Sequence, residues 1–176
     1  MSEHIEVSTS LPIDPDSAFA LVHTVGDDRT CWDHQTEARM LIRDHREVKL
    51  GAQVFERVSN RRRVIVEYDS WYPSRQSSTH LLKGPFWLAE YGEGWHVQPA
   101  EGGSRVTLKI TWRHASPIFA NAAAAAMSSA FTAEARERIA DLLVASEDAE
   151  LVARVRKRAA TGELPANARH RDLSRH

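Results

Sequence analysis

Cysteine is almost missing from this chain: Cys31 stands alone, so no disulfide forms within it, which fits a reducing compartment. No apolar run approaches the roughly 20 residues needed to cross a bilayer. The opening residues Met1, Ser2, Glu3 and His4 lack the basic region and apolar stretch of a secretion signal, and a cytoplasmic location is expected. An excess of either charge is missing too. With 23 Lys and Arg against 24 Asp and Glu, no net field draws in nucleic acid or an anionic membrane, and no nucleic-acid partner is expected. The 9 histidines are scattered, with no pair at ligand spacing beside a carboxylate, which argues against a metal centre. Glycine-rich phosphate loops and the Gly-x-Ser-x-Gly elbow are absent, and no cofactor is expected.

What remains is strand and helix pattern in 176 residues, enough for one sizeable core. Ile5, Val7, Thr9 and Leu11 alternate with Glu6, Ser8 and Ser10, the period of a half-buried strand. Asp14 then caps a helix that takes Pro15 at its first position and buries Phe19 and Val22. A second short helical turn spans Asp27 to Asp33, carrying Cys31, read as a buried structural thiol, and Trp32. Its acids, Asp27, Asp28 and Asp33 beside His34, read as a capped, solvated helix.

From Thr36 to Arg113 strand follows strand. Val64 to Trp71 and Val106 to Trp112 alternate most cleanly, and Gly92 and Gly94 predict a bulge or bend before Trp95. Ser116 and Pro117 then open a long helix reaching Ser146, with Ala120, Ala124, Met127, Phe131, Ala135, Ile139 and Leu142 on one stripe. Glu134, Arg136, Glu137 and Asp141 fall largely off that stripe. A charged helix from Glu147 to about Ala160 follows, and the polar, basic residues from Ala166 onward are expected to be disordered.

The order of one strand, two short helices, about six antiparallel strands and a long C-terminal helix resembles the START-like helix-grip superfamily (SRPBCC), above all its polyketide cyclase/dehydrase branch. Local matches are the Asp14-Pro15 helix start, Trp32, Gly84-Pro85-Phe86, Trp95 and Gly102-Gly103-Ser104. The resemblance covers roughly Glu3 to Ser146 and implies an α+β fold, a curved antiparallel sheet of about seven strands wrapped around the long helix. It divides the chain into a ligand-binding domain, residues 1–147, and a helical extension with a tail, residues 148–176. It also implies a deep cavity between sheet and helix.

Alternation and the helical stripe give that cavity its candidate lining: Tyr68, His80, Leu82, Trp95, Leu108, Ile110 and Trp112 from strands, Met127 and Phe131 from the long helix, and Trp32 nearby. Aromatic rings, a flexible Met and small alanines suit an adaptable apolar pocket. His34, His80 and His114 are the acid or base candidates. The arginine and tyrosine of an aromatase/cyclase have no clear counterpart: the arginine position falls near Trp71, with Arg75 an alternative, and no tyrosine lies between His34 and Ala38. Catalytic residues are therefore left unassigned. Three readings stay open: a binder of a hydrophobic, lipid-like or aromatic molecule, a cyclase or dehydrase on a polyketide-like substrate, and a protein-interaction module of the chaperone-cofactor type. Oligomeric state also stays open, a homodimer being one option.

Overall fold

The computed structural model describes residues 2–115 and 120–170. Its strands are β1 (Glu3–Leu11), β2 (Thr36–Leu41), β3 (Gln53–Val58), β4 (Arg63–Tyr72), β5 (Gln76–Lys83), β6 (Leu88–Ala100) and β7 (Gly103–His114). They form one antiparallel sheet in the order β1-β7-β6-β5-β4-β3-β2, curled into a half-barrel. Every neighbour but one is the next strand in the chain. The exception is β1, which pairs with β7 along its whole length, from Glu3 opposite Trp112 to Leu11 opposite Ser104.

Strict alternation drives this pairing. On β7 the side chains of Val106, Leu108, Ile110 and Trp112 are buried on the inner face, while Arg105, Lys109 and Arg113 are exposed on the outer one. Register sets Tyr91 of β6 opposite Trp112, and Trp95 opposite Leu108. β6 runs unbroken through Gly92 and Gly94, and its irregularity lies instead between Leu88 and Glu90. Gly92 has another role: a Cβ there would stand 2.3 Å from the Thr79 carbonyl oxygen, so only glycine lets β5 come this close.

The helices cover the concave side. α1 (Pro15–Val22) starts as its sequence dictates, Asp14 accepting the Ser17 N–H at 3.0 Å and the Ser17 hydroxyl at 2.6 Å. α2 (Asp27–Thr30) is a single turn. Its inner side is taken by Arg29 and Trp32, which leaves Cys31 exposed rather than buried, its thiol directed at the Asp28 carbonyl. α3 (Ala120–Glu147) crosses β1 and β7 and buries Met127, Phe131, Ala135, Ile139, Leu142 and Ala145. Each large apolar side chain among these contributes about 1.5–3 kcal/mol through burial. The predicted start at Ser116 and Pro117 lies outside the described residues.

α4 (Ala149–Thr161) has its own punctuation, with Asp148 accepting the N–H groups of Glu150 and Leu151, and Gly162 ending the helix at φ 72. Beyond it the expectation of disorder is corrected for residues 166–170. Asp27 donates its N–H to the Ala166 carbonyl (2.9 Å), Leu41 donates to Ala168 (2.8 Å), and His170 donates back to Leu41 (2.9 Å). The tail thus forms a short parallel bridge on the outer edge of β2. Gly26 makes room for it: with φ at 58, a Cβ there would lie 2.3 Å from the Ala166 oxygen.

Candidate functional site

Tyr68, Trp95, Leu108, Ile110, Trp112, Met127 and Phe131 all lie buried in one core cluster. The Trp112 and Phe131 rings stand 4.9 Å apart, and Tyr91, opposite Trp112 on β6, lies 5.7 Å from Phe131. Trp32 is buried beneath the Arg29 guanidinium at 4.5 Å, its indole N–H donating to the Thr24 hydroxyl. His80 and Leu82 are corrections to the predicted lining, because both face outward and are exposed. On β5 the inner face belongs to Ser77 and Thr79, whose small hydroxyls fit beneath His23 and beside the close approach at Gly92. The opposite parity therefore sends His80 out, where it meets Asp69 at 3.5 Å.

A buried ion cluster lies between α3 and the inner faces of β3 and β6. Arg138 of α3 is its centre. Its guanidinium ion-pairs with Asp33 (2.9 Å), Glu56 (3.0 Å), Glu134 (3.3 Å) and Glu93, and the arginine is fully buried. Around it Arg39 pairs with Glu56, Arg62 holds both oxygens of Glu134 at 2.7 Å, and Arg29 meets Asp33 at 2.8 Å. Four guanidinium groups thus balance four carboxylates, which is how such charges are tolerated away from water.

Two tyrosines join them: Tyr91 donates to Glu93 at 2.6 Å, and Tyr68 accepts from Arg39 at 3.0 Å. Burial alone would raise the Asp33 pKa, but Arg138 and Arg29 outweigh it and hold the carboxyl at about 2. Glu93 is lowered by the same contest, burial losing to Arg138, Arg39 and Arg29, while burial and the Glu93 charge raise Tyr91. Asp33 and Glu93 are thus charged and Tyr91 neutral at neutral pH. Glu93 Oε2 and Trp112 Nε1 have no hydrogen-bond partner among the described residues.

Sequence reasoning missed this cluster and set Glu134 largely off the buried stripe. A signal existed. Glu134 and Arg138 are spaced i,i+4 and flank Phe131, Ala135, Ile139 and Leu142, while Glu93 shares the parity of Tyr91, Trp95 and Val97. Asp28 and Asp33 are likewise buried rather than solvated.

Open space lies on another side of the molecule. A cleft of about 550 Å³ runs between α1, the segment around Val48, the β4–β5 turn at Pro73 and Ser74, and α4 with the residues after it. That volume lies within the range of small-molecule sites. None of the ten predicted residues lines it; Tyr68 stands one ring behind. The aromatic rings on its wall belong to Phe19, His23 and Trp71, with Phe19 and Trp71 5.0 Å apart and His23 4.7 Å from Trp71. A register shift between Tyr68 and Ser70 lets Trp71 and Tyr68 meet edge to face at 5.3 Å, although an odd spacing separates them.

His23 has a defined tautomer. Its Nδ1 lies 2.7 Å from the Phe19 carbonyl, which only accepts, so Nδ1 carries the proton and Nε2 accepts the Ser77 hydroxyl at 2.6 Å. Burial, reinforced by the charges of Arg39 and Arg29, lowers its pKa to about 3. The imidazole is therefore neutral and fixed. Apolar Ala20, Val48, Val155 and Leu164 complete the walls, and Asp16, Arg46, Lys49, Arg156 and Glu163 stand at the rim.

Among the described residues, no group of three or more His, Cys, Asp or Glu side chains is placed to hold a metal ion, and no helix is long and apolar enough to cross a membrane. Residues 2–147 match the family described as polyketide cyclase / dehydrase and lipid transport. No curated protein matches the chain in sequence. Among solved structures, the Zhui aromatase/cyclase from Streptomyces sp. R1128 is 14% identical, with a TM-score of 0.70 over 93% of this chain and 100% of its own. The ginseng major latex-like protein 151 from Panax ginseng is 13% identical, with a TM-score of 0.65 over 82% of this chain and 97% of its own. The di-domain ARO/CYC StfQ from the steffimycin biosynthetic pathway is 12% identical, with a TM-score of 0.65 over 84% of this chain and 52% of its own. At these identities the likeness is one of fold.

Proposed function

This chain belongs to the polyketide cyclase/dehydrase and lipid transport family, and from that premise we propose that it binds a hydrophobic small molecule with a flat ring system in the cleft beside α1. The observation that carries this reading is the aromatic wall formed by Phe19, His23 and Trp71 in a cleft of about 550 Å³. Offset or edge-on contacts between rings stabilise a complex by about 0.5–1.5 kcal/mol each beyond the burial of apolar area. Arg46 at the rim suits a carboxylate or other anionic substituent on the ligand.

A fluorescence titration with anthracene-2-carboxylate tests it. Saturable binding to the native chain is expected, with Trp71→Ala weakening it by about tenfold or more, the equivalent of roughly 1.4 kcal/mol. Trp71 is half-buried, and circular dichroism of the variant checks that it is folded. Absence of saturation, or equal affinity in the variant, removes the cleft as the site.

A second reading, a cyclase or dehydrase on a polyketide-like substrate, draws support from the polar groups directly behind the rings. Tyr68 touches Trp71 and accepts from the buried Arg39, and Ser77 donates to His23. These are hydrogen-bonding groups near an enclosed face, as enolisation or loss of water requires. Loss of water from a poly-β-ketone thioester, followed by mass spectrometry, distinguishes turnover from binding.

A further inference from the structure

We infer that α4 and the residues just after it, which follow the matched span of residues 2–147, determine which ring systems the cleft admits. The inference rests on the cleft being the ligand site. Phe19, His23 and Trp71 make one wall; Val155, Ala159 and Leu164 stand among those that close the space against it. Without α4, the aromatic wall would be an open face.

Helical geometry explains how one short helix both docks and lines a site. Arg154 and Arg158 are spaced i,i+4 and converge on Asp28, at 3.1 Å from Oδ1 and on Oδ2 respectively, with Asp28 buried. Val155 and Ala159 repeat the same spacing one residue further round, which turns their stripe to the cleft. Arg156 ties the next position to Asp14 at 2.8 Å. The helix is therefore docked by the buried Leu151 and Val155 together with arginines on Asp28 and on Asp14, the cap of α1, while Ala159 and Ala160 meet the cleft beside the rim arginines. Ala159 is exposed and lines the cleft, so its size sets the free width while the core goes untouched.

The experiment compares naphthalene-2-carboxylate with anthracene-2-carboxylate, each followed by its own fluorescence, in the full chain. Ala159→Trp narrows the slot and is expected to weaken the three-ring ligand by about tenfold while changing the two-ring ligand by less than about threefold. Leu164→Ala widens it and is expected to move the ratio the opposite way. Ala153→Trp, on an exposed position of α4 outside the cleft lining, is expected to leave the ratio unchanged, and circular dichroism reports that each variant is folded. If Trp71→Ala removes binding yet neither Ala159→Trp nor Leu164→Ala alters the ratio, this inference falls and the cleft reading stands. If the native chain binds neither compound, both fall together.

Discussion

At Arg138 a single guanidinium is ion-paired with Asp33, Glu56, Glu93 and Glu134 at full burial. Removing it leaves four carboxylates facing one another with only Arg29, Arg39 and Arg62 to offset them. Arg138→Met is expected to cost about 3–5 kcal/mol, the usual penalty for breaking a buried pair from one side, read as a lowered midpoint in urea with the slope retained. His23 makes a different prediction. Its folded pKa of about 3 lies below the ordinary 6.5, so the unfolded chain binds the proton more readily. Stability is therefore whole above pH 6.5 and is lost as pH falls from there towards 3, by up to about 1.4 kcal/mol per pH unit. Melting temperature measured from pH 7 to pH 5 is expected to decline in the native chain and to decline less steeply in His23→Gln. Asp33 follows the same direction at lower pH, its contribution being lost as pH falls from about 4 towards its folded value of about 2.

Among the elements, α4 was legible and its docking was not. Asp148, the apolar pair Leu151 and Val155, and Gly162 mark the helix in the sequence itself. The partners of the segment after it lie far away in the chain: the Asn167 amide donates to Asp27 across 140 positions. Local composition reads such a segment as polar and solvated, because its apolar content is low and each polar group finds its partner only in the folded state. Gly26→Ala tests that docking. With φ at 58 and the Ala166 oxygen 2.3 Å from the new Cβ, the tail must lift, and a loss of about 1–3 kcal/mol is expected. Faster amide exchange at Leu41 and His170, whose N–H groups form the bridge to the tail, would locate the damage there.

For the whole molecule, period and punctuation carried the fold, since β7 alternates cleanly and α1 begins at Asp14-Pro15. The candidate site escaped for two physical reasons. Charged residues inside a core violate the rule by which inward faces are read, so Glu56, Glu93 and Arg138 were passed over even where parity or helical spacing pointed inward. The cleft joins α1 to α4 across most of the chain, a juxtaposition no local pattern encodes. The pairing of β1 with β7 bears on biosynthesis as well. Between Leu11 and Gly103 the ribosome, at about 5–20 residues per second, takes roughly 5–20 s. Throughout that interval β1 has no strand partner, and the nascent chain carries its half-apolar edge unpaired until β7 emerges.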